Sequence, residues 1–181
     1  MTSKPYSQRS DVERVESNWT KTLGLFARRE YSLSIVRAAV SAELALNYAI
    51  RQELHTRHSL PLPFVDKHLK WANGIKGKLD RLYIPIVNGT KLEARAKATA
   101  KALNLLNEER NLIAHRGEFR EKQTAQRFLE LAEKEITSLV SEYMKPFVLK
   151  KFDPSHTYER VMMIPGAGAV QMPWHPDDDE K

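Results

Sequence analysis

Residues 30–56, EYSLSIVRAAVSAELALNYAIRQELHT, decide the fold. The stretch contains neither proline nor glycine, the two residues that most strongly disfavour a helix interior. Ile35, Ala39, Ala42, Leu46 and Ala49 fall on one apolar line at helical spacing, and Leu33, Val36, Val40, Ile50 and Leu54 fall on a second line beside it. Two adjacent lines make an apolar surface too wide for a helix that touches a single neighbour. The pattern predicts a long central helix with other helices packed around it.

Working outward, Ser10 and Glu13 have the spacing of a capping box, in which each side chain satisfies a free backbone donor at a helix start. A first helix is expected over 11–28, preceded by a flexible N-terminus, 1–10. Pro61 and Pro63 end the central helix, because proline removes a backbone donor and restricts the residue before it. Short helices are expected over 64–73 and 77–83, separated by Asn73-Gly74 and Gly77 and stopped near Pro85. Asn88-Gly89 signals a turn, and Thr90 with Glu93 forms a second capping box opening a helix over 91–114, which Gly117 is placed to end. A last helix over 120–149 carries Phe128, Leu131, Ala132, Ile136, Leu139 and Tyr143 on one face, with Pro146 able to shorten it.

Beyond Asp153-Pro154 the helical signal stops. Pro165-Gly166, Gly168, Pro173, Pro176 and the acidic run Asp177 to Glu180 predict an extended or disordered tail over 153–181, in which Val161 to Ile164 could dock as a strand-like segment. No internal repeat and no strand of period two stands out. The expected fold is all-α: a bundle of four to five main helices over 11–152, with short connecting helices and an extended C-terminal tail.

The 181 residues include no cysteine, which excludes disulfides, thiolate metal sites and a cysteine nucleophile. Met1 to Ser10 lacks the apolar core of a secretory signal, and no later apolar run approaches the roughly 20 residues of a membrane span. A cytoplasmic protein without a membrane partner is expected. The net charge of +6 and the pI near 9.5 favour a polyanionic partner, although general solubility explains such a charge equally well.

No phosphate-binding glycine loop, helical His-Glu-x-x-His or Gly-x-Ser-x-Gly elbow is present, and neither a metal nor a cofactor is expected. The compact polar cluster is Glu108-Glu109-Arg110-Asn111-Leu112-Ile113-Ala114-His115-Arg116-Gly117. Positions four apart share a helix face, so Asn111 and His115 stand one above the other. Arg110 lies about 140° around from His115 at 100° per residue, within the swing of a long guanidinium near a helix end.

Imidazole, amide and guanidinium suit metal-free RNA cleavage, in which the ribose 2′-OH attacks the adjacent phosphorus and the 5′-oxygen leaves with a proton. A histidine side chain, with an ordinary pKa of about 6.5, can make either proton transfer. Arginine neutralises charge growing on the phosphoryl oxygens, and asparagine can orient the 2′-OH. One such set supplies a single acid/base group, so two sets facing each other across a dimer would complete the chemistry more readily. By spacing alone, Arg110 and His115 also suit a helix C-terminus, where cations meet the last carbonyls.

A decoy has similar spacing: Arg51 precedes His58 with six residues between, at the end of the central helix. The asparagine directly after Arg110, the small Ala114 before His115 and Gly117 two residues after it favour the later pair. Glu43 and Asn47 lie in line with Val36, Val40, Ile50 and Leu54, which puts an ionisable group on a largely apolar line. The functional expectation is that Glu43 positions the Arg110 guanidinium or closes a polar network beside the site; the alternative is a solvated edge of the line or a structural salt bridge. Lys70, Lys76, Lys78, Arg81, Lys91, Arg95, Lys97 and Lys101 read as a solvated face that could also track an RNA backbone. Trp71, on a short helix, is expected in the core rather than stacked on a base.

Arg110-Asn111-Leu112-Ile113-Ala114-His115, with Gly117 following, resembles the Arg-x4-6-His signature of the HEPN superfamily. Ala38 to Leu44, running on to Leu54, is similar to the long helix that precedes the motif helix in that superfamily, and the resemblance spans roughly 30–145. It implies a dimerising helical bundle and a metal-independent endoribonuclease. Arg110 and His115 take the catalytic positions and Asn111 the polar position after the arginine. It further implies RNA as substrate, a homodimer, a toxin or antiviral defence setting, and a cognate antitoxin or regulatory protein. Some HEPN toxins carry a modifiable tyrosine two residues after the histidine, where this chain has Gly117. The same superfamily includes non-catalytic modules that bind nucleic acid or protein, which is the alternative expectation.

Overall fold

In the computed structural model, the described residues are 4–156, 160–164 and 168–172. The chain folds as a helical bundle: α1 (Asp11–Ala27), α2 (Tyr31–Arg51), α3 (Leu62–Trp71), α4 (Gly74–Lys78), α5 (Ile84–Val87), α6 (Glu93–Arg116) and α7 (Lys122–Ser141). Two π-helical segments interrupt the regular ladder, Gln52–Arg57 after α2 and Leu79–Tyr83 between α4 and α5.

α2 is the centre of the bundle, packed most extensively on α1 and α7 and then on α6. Of its two apolar lines, Ile35, Ala39, Ala42, Leu46 and Ala49 are buried, joined by Ala38 and Ala45 between them. The run of alanines lets neighbouring helices approach closely. In the second line Ile50 is fully buried, Val36, Val40 and Leu54 form the edge, and Leu33 is exposed. By length and composition Tyr31–Arg57 could cross a membrane, contrary to the expectation that no segment would. Its apolar residues are interrupted by Arg37 and Glu43, so no unbroken run stands out, and in the bundle its apolar breadth faces α1, α6 and α7.

The Ser10–Glu13 capping box forms as expected: the Glu13 amide donates to Ser10 Oγ (3.2 Å) and the Ser10 amide to Glu13 Oε2 (2.6 Å). Before it, Lys4 pairs with Glu13 and Arg9 Nη1 donates to Ser17 Oγ (2.6 Å). The second box is displaced. Thr90 Oγ1 takes the Leu92 amide (3.1 Å) and Glu93 takes the Gly89 amide (2.8 Å), so α6 begins at Glu93.

α7 ends at Ser141, well short of 149. Tyr143 is drawn inward there, its hydroxyl donating to the buried Glu53 (2.6 Å), and burial with that contact pushes the phenol pKa up. The chain then returns along the bundle in extended form. Leu149 and Phe152 are buried, Phe152 meets Phe26 edge-on (4.8 Å between centroids), and Trp19 Nε1 donates to the Lys150 carbonyl (2.6 Å). Within the expected tail, β1 (Arg160–Ile164) pairs antiparallel with β2 (Gly168–Met172), with Met162 opposite Val170. The segment at Val161 to Ile164, expected to be strand-like, is thus one strand of an antiparallel pair. The acidic run Asp177 to Glu180 lies outside the described residues.

Candidate functional site at the end of helix α6

The core side of α6 is the line Ala96, Thr99, Leu103, Leu106 and Ile113. Arg110 falls on that line, between Leu106 and Ile113, yet is only half-buried. Asn104, Asn107, Asn111 and His115 form a polar line within an arc of about 80° beside it. The Arg110 side chain leaves the core line and turns toward this polar one: its Nη1 donates to Asn111 Oδ1 (3.0 Å). Guanidinium and amide are therefore in direct contact, as the sequence allowed. One turn beyond Asn111, His115 is exposed to solvent in the last turn of the helix.

Gly117 ends the helix in the left-handed conformation, with φ of 67°, and its amide donates to the Ile113 carbonyl (3.1 Å). A side chain there would strain the backbone even though a Cβ would meet nothing within 4 Å. The chain turns away at this point and leaves the His115 face uncovered by its own continuation.

Charge pairing distinguishes the two Arg/His pairs. Arg51 is held by Asp11 (2.9 Å) and by Asp66 (2.9 Å), so its guanidinium is already neutralised. Arg110 has no carboxylate partner among the described residues. The acids closest in sequence are committed elsewhere: Glu109 and Glu118 both pair with Arg120, which they hold further above its ordinary pKa, Glu118 contributing most. A half-buried cation contacting only a neutral amide is poised to take an anion.

Glu43 does not position Arg110. It pairs with Lys78, which is buried between α4 and the following π-helical segment, so the structural salt bridge is the reading that holds for this acid. Nothing local to α2 announces this pairing, because Lys78 is 35 residues away. Asn47, one turn beyond Glu43, has its Oδ1 buried without a hydrogen-bond partner among the described residues, and the same is true of Asn104 Oδ1 on α6. An unpaired buried amide oxygen costs stability, so Asn47→Leu, which keeps the volume and removes the polar group, is expected to raise unfolding stability by about 1 kcal/mol in chemical denaturation. A loss of stability instead would mean that the oxygen is satisfied in solution.

Trp71 is 60 % exposed rather than in the core. Lys78 likewise departs from the expected solvated face, whereas Lys70, Lys76, Arg81, Lys91 and Lys101 remain on it. Among the described residues no three His, Asp or Glu side chains gather as a metal-holding group. In comparison with known proteins, no family model matches the chain, and neither a curated protein nor a solved structure matches it.

Proposed function

We propose that the protein is a metal-independent endoribonuclease of HEPN type, acting at Arg110, Asn111 and His115 on α6. The observation that carries this reading is the Arg110 guanidinium, free of any carboxylate among the described residues and in contact with Asn111, one turn from an exposed imidazole. Arg110 binds the phosphoryl oxygens and offsets the charge that grows on them. Asn111 orients the 2′-OH. His115 takes the proton from the 2′-OH as that oxygen attacks phosphorus, or gives one to the 5′-oxygen as the P–O5′ bond breaks. The products are a 2′,3′-cyclic phosphate and a 5′-hydroxyl.

One protomer offers one His115, and two proton transfers are needed, so the reading includes a homodimer that brings two copies of the site together. Exposed apolar side chains close to the motif support such a surface: Phe119, 91 % exposed, lies four residues past His115, and Leu33, also exposed, follows Ser32, whose Oγ accepts from the Arg120 amide (2.8 Å). A toxin or antiviral defence role in the cytoplasm, restrained by a cognate antitoxin or regulatory protein, belongs to the same proposal.

The test is RNA incubated in EDTA with the wild type and with the Arg110→Ala/His115→Ala variant. Cleavage by the wild type alone is expected. Equal degradation, or none, in both samples would turn the reading to a non-catalytic module that binds nucleic acid or protein.

A further inference from the structure

The exposed face of α3 carries a second feature that the cleavage chemistry does not use. At 100° per residue, Phe64, Lys67, His68 and Trp71 fall within an arc of about 100° on this helix. The adjoining arc is anchored in the core by Val65, Leu69 and Ala72. Phe64 is 46 % and Trp71 60 % exposed, unusual for large aromatic rings. The rings form a row, tilted at its first step and edge-on at its second: Phe64 and His68 have centroids 4.0 Å apart at 36°, and His68 meets Trp71 at 6.4 Å and 68°. His68 is fixed in this position by a 2.8 Å contact between its Nδ1 and the Phe64 carbonyl oxygen. Lys67, His68 and Trp71 line an open cleft of about 370 Å³, room for a single planar base.

Cations surround the row. The Arg81 guanidinium lies 5.0 Å from the Trp71 ring centroid, and Lys67 and Lys70 stand exposed on α3 itself. None of the three has a carboxylate partner among the described residues, and the nearby acids are engaged, Asp66 by Arg51 and Asp80 by Lys76. Aromatic faces flanked by unpaired cations suit a chain of bases joined by phosphates. A second copy of this face is a poor occupant, because a two-fold axis would set the same three cations against their mates.

We infer that α3 binds single-stranded RNA, with a base stacked on the Trp71 ring beside the edge-on His68 and the flanking phosphates held by Lys67, Lys70 and Arg81. The face is an accessory hold on the substrate of the α6 site, and in naming RNA rather than DNA as its ligand it rests on the ribonuclease reading.

The experiment measures binding of a fluorescein-labelled 2′-O-methyl oligouridine 12-mer to the full chain by polarisation. That probe has no free 2′-OH, so cleavage is not read, and failure of the nuclease reading would leave the result standing. Trp71→Ala is expected to weaken binding by at least about fivefold, with Trp71→Phe retaining most of the affinity. Lys67→Ala/Lys70→Ala is expected to weaken binding and to flatten the slope of log affinity against log salt by about 1.4. Unchanged affinity in Trp71→Ala, with its circular dichroism intact, would overturn the inference. So would loss of self-association in that variant with oligonucleotide binding preserved, which would assign the face to protein contact.

Discussion

Replacing His115 by Ala is expected to lower the rate of RNA cleavage by about 10²- to 10⁴-fold, the range a positioned general acid or base supplies. The same change should leave the fold nearly untouched. His115 is exposed, makes no hydrogen bond to another described residue, and lies in the last turn of α6, where a cation contributes no more than about 1 kcal/mol through the helix dipole. Activity and stability should therefore separate in this variant. Circular dichroism and the thermal midpoint would stay close to the wild type while cleavage collapses. Undiminished cleavage by His115→Ala in EDTA would remove the imidazole from the mechanism.

Trp19→Ala is expected to have the opposite profile and to cost about 3–5 kcal/mol of unfolding stability. The side chain is fully buried between α1 and its neighbours, and its indole N–H donates to the Lys150 carbonyl 131 residues away. That bond fastens the extended return segment after α7 to the first helix. In a domain stable by about 5–15 kcal/mol, the loss would be a large fraction of the whole. Hydrogen exchange should show amides near Leu149 and Phe152 opening first, because their burial depends on the same contact. A cost below about 1 kcal/mol would mean that the segment docks on the bundle independently of Trp19.

The main helices were legible because their signals are local. The unbroken periodicity of 30–56 marks α2 as central, Ser10 with Glu13 marks the start of α1, and Gly117 marks the end of α6. The errors arise where a distant partner decides. α7 stops at Ser141, where Tyr143 is committed to Glu53 across the bundle, and not at 149. The π-helical segments after α2 and before α5 leave no mark in a pattern of apolar residues. Each carries one member of the buried cluster in which Glu53 accepts from Tyr143 while Tyr83 packs beside them, and burial raises the pKa of both tyrosines.

The geometry around Arg110 was legible to a similar depth. Helical geometry alone places Asn111 below His115, and the swing of Arg110 toward Asn111 follows from its side-chain length. What spacing could not decide was which arginine is free. Arg51 and Arg110 look alike until Asp11 and Asp66 are seen closing on the first, 40 and 15 residues away in sequence. Glu43 was left between two readings for the same reason, since its partner Lys78 belongs to another helix. Trp71 was expected inside because tryptophan usually is; its exposure becomes visible only once Val65, Leu69 and Ala72 are found to be the side of α3 that faces the core.

The measurement closest to the central claim is the chemistry of the ends left on RNA cut in EDTA by the purified wild-type protein. Attack by the neighbouring 2′-oxygen, with Arg110 on the phosphate and His115 moving the proton, should leave 2′,3′-cyclic phosphates and 5′-hydroxyls, and DNA of the same sequence should remain intact. Fragments bearing 3′-hydroxyls and 5′-phosphates, or cutting of the DNA as well, would mean that water attacks the phosphorus and would contradict the mechanism assigned to these three residues.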